Sequence, residues 1–123
     1  MKKYKIYIAS AYTVGNVAIN VKRQIDCVDE LMNLGFAPFA PLYSHFQEMF
    51  HPRPYQEWIE IDLLWIDVCD ALLRLPGESK GADGEVAYAE KLGIPVFYTI
   101  KSLKEYFDNK LEILAFEKTK TIG

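Results

Sequence analysis

Hydrophobic positions along the chain fall into short blocks that alternate between two periods. Tyr4 to Ser10 is β-branched and aromatic, the composition of a central strand buried on both faces. A loop from Ala11 to Gly15 follows, with Asn16 placed as a helix N-cap. Val17, Ala18, Val21, Ile25, Val28, Leu31 and Met32 then recur at helical spacing, and Gly35 stands where a C′ glycine belongs. Phe36 to Leu42 reads as the second strand. Its Pro38 and Pro41 cannot donate to a ladder, which predicts a sheet edge.

The second half continues the alternation. Tyr43 to Pro54 is a polar, aromatic connection with a short helix near Ser44 to Phe50, and a helix spans Tyr55 to Val68. The third strand is Ala71 to Leu75, followed by a helix from Asp83 to Leu92 closed by Gly93, and the fourth strand is Ile94 to Tyr98. Ser102 and Glu105 form a capping box for a last helix. Its stripe of Leu103, Tyr106, Phe107, Leu111 and Leu114 is expected to cover the sheet.

Strands alternating with helices predict a parallel sheet with right-handed crossovers. The expected fold is a flavodoxin- or Rossmann-like α/β three-layer sandwich, four or five strands in the order 2-1-3-4, as one domain over residues 1–123. Its switch point lies between strands 1 and 3, so a ligand belongs beyond their carboxyl ends. The loops 10–15 and 76–84 converge there.

Composition narrows the partners. Of 123 residues, 50% are hydrophobic and 25% charged, and the net charge is −3 without a basic tract, which argues against a nucleic-acid polymer. The longest apolar run is too short for a bilayer, and Met1-Lys2-Lys3 leads directly into a strand rather than a signal sequence. Cys27 and Cys69 form no Cys-x-x-Cys pair and read as core residues of a reduced, cytoplasmic protein. His45 and His51 lack a ligand set, so no metal is expected. No cofactor is expected either; the chain carries neither a Walker end nor a Gly-x-Gly-x-x-Gly after its first strand.

The stretch from Leu72 to Ala89 carries the chemistry: a buried strand, a glycine-rich turn and a helix with Glu85 placed in its opening turn. There the helix dipole favours an ionised carboxylate. A fixed carboxylate at a switch-point crevice can attack an electrophilic carbon, or it can simply improve helix electrostatics; the residues alone leave both readings open. Ser79, Gly81 and Gly84, with Lys80 nearby, read equally as an anion cradle or as a flexible loop. Asp62 shares a mainly apolar face with Trp58, Ile59, Trp65 and Ile66, a costly place for an unpaired carboxylate that faces no cavity. Asp70 reads as a loop contact before strand 3. Tyr7 suits the sheet core, whereas Tyr12 can stack on a ring, with His45, Phe46, Phe50, Tyr55 and Trp58 as further aromatic walls.

Three segments together resemble the nucleoside 2-deoxyribosyltransferase superfamily, which includes deoxynucleoside 5′-monophosphate N-glycosidases, and in particular a bacterial and phage branch of it. They are Ile6 to Tyr12, Asp62 to Ala71 with its Asp-x-x-Trp-Ile pattern, and Ser79 to Ala89. The resemblance covers most of the chain, up to about Tyr98. It implies Glu85 as the nucleophile at the anomeric carbon, Tyr7 orienting it, and Asp62 holding sugar hydroxyls or assisting proton transfer. It further implies substrate contacts from Ser10, Tyr12, Gly81 and Gly84, a 5′-phosphate contact from Ser79, and a homodimer or higher homo-oligomer. The arginine that the monophosphate glycosidases carry after strand 1 is missing, and Lys22 and Arg53 are the available stand-ins. The implied activity is cleavage or transfer at the N-glycosidic bond of a nucleoside or nucleotide. A non-catalytic nucleotide-binding module and a TIR-like NAD-cleaving enzyme are the alternatives.

Overall fold

A computed structural model describes residues 3–122, with side chains through residue 119; Met1 and Lys2, read above as leading into the first strand, lie outside the described residues. The elements run β1 (Lys5–Ala9), α1 (Val17–Asn33), β2 (Ala37–Phe39), a 3₁₀ turn (Pro41–Tyr43), α2 (Ser44–Phe50), α3 (Tyr55–Ile66), β3 (Ala71–Arg74), α4 (Lys80–Lys91), β4 (Val96–Phe97) and α5 (Ile100–Ile122). The four strands form one sheet ordered β2-β1-β3-β4, every pairing parallel. The expected order is therefore observed, with the proline-bearing β2 at the edge.

Alternation along β1 sorts the core into two layers. Ile6 and Ile8 join Ala71 and Leu73 under α1 and α5, through Cys27, Leu31, Leu103 and Phe107. Tyr7 and Ala9 point to the other face, with Leu72, beneath Ile66 of α3 and Ala82, Val86 and Ala89 of α4. This is the helix–sheet–helix layering that a sheet buried on both faces demands. Cys27 and Cys69 are both free and buried. No described helix is long and apolar enough to cross a membrane.

Several local boundaries differ from the pattern, each for a physical reason. The second strand stops at Phe39 rather than Leu42, because Pro41 opens a 3₁₀ turn and the Leu42 amide donates to Gln24 instead of a ladder. The buried face of α1 is Asn20, Val21, Gln24, Cys27 and Leu31, while Met32 and Ile25 turn to solvent. That face follows the helical repeat as regularly as the apolar stripe does, but two of its members are amides. Asn16 does cap the helix, accepting from Ile19 N at 3.0 Å, and Gly35 adopts φ +89 just past its end.

The last helix begins three residues before its expected start. Thr99, not Ser102, is its cap: Thr99 Oγ1 accepts from Ser102 N at 3.1 Å. Of the expected stripe only Leu103 and Phe107 are buried. Leu111 and Leu114 are exposed because α5 runs on past the short β4 edge. Asp70 ties strand ends as expected, accepting from Lys5 N at 2.7 Å.

Gln24 is the amide that organises the carboxyl end of β1. Its Nε2 donates to Ile8 O at 3.1 Å and Ser10 Oγ at 2.8 Å, and its Oε1 accepts from Leu42 N at 3.2 Å. The side chain is only 1% exposed, so Gln24→Ala leaves buried backbone groups unpaired. The expected loss is roughly 2–4 kcal/mol, read as a lower urea midpoint at unchanged slope; a change below half a kcal/mol would mean that water replaces the amide.

Candidate active site

The carboxyl ends of β1 and β3 open into a cavity of about 480 Å³, within the range of small-molecule sites. Ser10, Tyr12, Asp62, Ser79, Gly81 and Glu85 all line it, so the switch-point expectation brings these distant residues together. Tyr7 lies directly behind: it is fully buried, and its phenol donates to Glu85 Oε2. Gly84 does not line the cavity, and a side chain there would meet open space. Lys22 is likewise elsewhere, paired with Asp26 on the exposed face of α1 at 2.7 Å, whereas Arg53 does line the cavity.

The start of α4 corrects the reading of its loop. Ser79 is the N-cap, with extended backbone and its Oγ accepting from Ala82 N at 3.0 Å, so the helix begins at Lys80 rather than Asp83. Gly81 is thereby helical and not part of a loop cradle. A Cβ at that position would stand 3.0 Å from the Tyr55 hydroxyl, which explains why no larger residue fits there without movement. Glu85 consequently sits beyond the opening turn, where the dipole acts only weakly.

Burial instead governs its charge. Glu85 is 8% exposed, and desolvation pushes its carboxyl up to about 7. The Tyr7 hydrogen bond opposes that rise, the Asp62 charge adds to it, and the Arg74 guanidinium opposes it. Asp62, on α3 facing the same space, is also pushed up to about 7 by burial. Tyr7 is raised far above the phenol range by burial first and by Glu85 and Asp62 next, so it stays a donor. Near neutral pH each of the two carboxyls is therefore close to half-protonated. Such a pair can supply a nucleophile and an acid at once.

Asn20 and Glu48, which no motif announced, brace the loops around the cavity. Asn20 Nδ2 donates to Tyr12 O at 2.9 Å and Val14 O at 2.8 Å, holding the β1–α1 loop against the helix. The Tyr12 hydroxyl meets His45 Nδ1 at 2.7 Å, joining that loop to α2. Glu48 Oε2 accepts from Trp58 Nε1 at 2.6 Å and from Arg53 N at 3.0 Å, which sets the α2–α3 turn beside the cavity. Tyr55 and Trp58 line the space, whereas Phe46 and Phe50 are exposed and do not. Arg74 carries a further hidden role: it is buried at the end of β3, beneath the loop that leads to α4.

Comparison with known proteins places this geometry in a family. Residues 4–99 match DUF7768, a domain of unknown function. The chain belongs to this family. The matched span of the DUF7768 domain includes all four strands and every cavity residue named above. No curated protein matches it. A solved structure of a 2-deoxyribosyltransferase from Bacillus psychrosaccharolyticus is similar in fold, with a TM-score of 0.55 and 25% identity over 75% of this chain and 69% of that chain.

Proposed function

We propose that the DUF7768 domain described here cleaves or transfers the N-glycosidic bond of a deoxynucleoside or its 5′-monophosphate. The observation that carries this reading is the buried Glu85 carboxylate, fixed by the Tyr7 phenol and opening beside Asp62 into the switch-point cavity. Likeness to a 2-deoxyribosyltransferase supports nucleoside glycosyl transfer at the level of reaction class.

In this mechanism the ionised Glu85 attacks C1′ through an oxocarbenium-like transition state. The C1′–N bond breaks, the base leaves with the electron pair, and the protonated Asp62 supplies its proton. The glycosyl–Glu85 ester is then attacked at C1′ by water, which gives hydrolysis, or by a second base, which gives transfer. Asp62 takes back the proton in that step. Tyr7 keeps the carboxylate oriented throughout.

The 5′-phosphate belongs at the N-terminus of α4. Ser79 and Lys80 stand at that end and Arg53 lines the same cavity, although Glu78 shares the rim. Ser79→Asp retains the helix cap but places a negative charge there. The expected result is a rise in KM for the 5′-monophosphate of about tenfold or more, with the unphosphorylated nucleoside unaffected. Equal effects on both substrates would remove the phosphate assignment. Assembly into a homodimer or higher homo-oligomer is part of the same proposal, and light scattering on the eluting protein reads it.

Chromatography of free base tests the reaction as a whole, using deoxynucleosides and their 5′-monophosphates, a second base as acceptor, and NAD. Release or exchange that disappears in Glu85→Ala supports the proposal. Saturable binding without release would make the domain a nucleotide-binding module, and nicotinamide release from NAD alone would move it to NAD cleavage.

A further inference from the structure

Arg74 has a buried guanidinium whose acidic partner is largely in solvent: the two side chains are 8% and 72% exposed, with Nη2 3.1 Å from Asp83 Oδ1. An ion pair to so exposed an acid offsets little of the desolvation of a guanidinium. Its other contacts are backbone carbonyls. Nη1 donates to Leu75 O, and Nη2 donates to Gly77 O at 2.7 Å. The planar fork therefore grips the β3–α4 loop at two points and the early part of α4 at a third. Gly77 turns there at φ +123, a conformation suited to glycine.

We propose that Arg74 is a positioning residue of the site, tying the β3–α4 loop to α4 so that Glu85 is presented to the cavity with a cationic counter-charge behind it. The inference gives meaning to the nucleophile assigned above and rests on that reading, but its test needs no turnover. Charged or titrating groups facing Glu85 come from three other elements: Tyr7 of β1, Asp62 of α3 and Arg74 of β3. Lys80 and Asp83 precede it on α4, and Glu48, Arg53 and Glu78 line the wider cavity. Arg74 is the cation among them that lowers the Glu85 carboxyl.

Glutamate labelled at its carboxyl carbon lets the Glu85 titration be followed by NMR, with the signal assigned by its loss in Glu85→Gln. Arg74→Met is expected to raise the titration midpoint by about one pH unit. Arg74→Lys returns the charge and recovers most of that shift, while leaving the backbone amides of Leu75 and Gly77 displaced. Asp83→Asn frees the Arg74 charge and moves the midpoint the opposite way. A purely structural arginine would alter the melting temperature without these opposed shifts, and unmoved midpoints in folded variants overturn the proposal. Should Arg74→Met fail to fold, Arg74→Gln, which keeps an N–H donor for the loop carbonyls but carries no charge, decides. If the wild-type protein also releases base, the acid limb of kcat/KM follows the same midpoints. If it releases none, the titration still stands or falls separately from the glycosidase reading.

Discussion

Glu85→Gln is expected to reduce base release by at least about a thousandfold while making the folded chain more stable above pH 7. Both effects come from one carboxyl. Glutamine keeps the shape and still accepts from the Tyr7 phenol, but it cannot form the glycosyl ester. The unfolded carboxyl titrates near 4.5, whereas burial pushes the folded one up to about 7. Between those values the folded state holds a proton that the unfolded chain has lost, so stability falls as pH rises through this window and is level beyond it. Glutamine escapes that decline, and the gain above pH 7 is up to about 3 kcal/mol. Base release is followed by chromatography, and stability by urea melts at pH 4.5 and pH 8. Near-wild-type release from the folded variant would remove Glu85 as nucleophile; equal stability changes at the two pH values would contradict the burial argument.

Asp62→Asn is expected to lower kcat/KM by about a hundredfold to ten-thousandfold, the usual range for loss of a general acid. The pH profile separates this role from sugar binding. With Glu85 ionised and Asp62 protonated as the working state, the wild-type profile is bell-shaped around pH 7, because burial pushes both carboxyls up to about that value. The asparagine variant loses the alkaline limb and keeps the acid one. It is also least impaired with a base that departs readily without protonation. A uniform loss across bases, with the bell intact, would assign Asp62 to the sugar hydroxyls instead.

Of the residues of the proposed reaction, Asp62 was legible from its setting, whereas the roles of Glu85 and Tyr7 came from the resemblance. Asp62 interrupts an apolar helix face, and Glu85 follows a glycine-rich segment behind a buried strand. Gln24 and Arg74 gave no comparable signal. Both are ordinary residues of surface helices and loops, and their roles depend on which backbone carbonyls and amides fold against them. The N-cap at Ser79 was obscured by Asp83, an equally good capping residue that instead pairs with Arg74.

Periodicity and punctuation along the chain were enough for the layer architecture, the strand order and the crevice, because burying alternating apolar faces with right-handed crossovers leaves few arrangements. Proline in the second strand was likewise enough to assign it to the edge. The charge state of the crevice required the folded arrangement. Helix position alone suggested an ionised Glu85, yet its carboxyl rises to about 7 once it is enclosed with Tyr7 and Asp62 from other elements. Desolvation and Coulomb interactions act through space, between groups as far apart in sequence as Tyr7 and Glu85, and no local pattern encodes them.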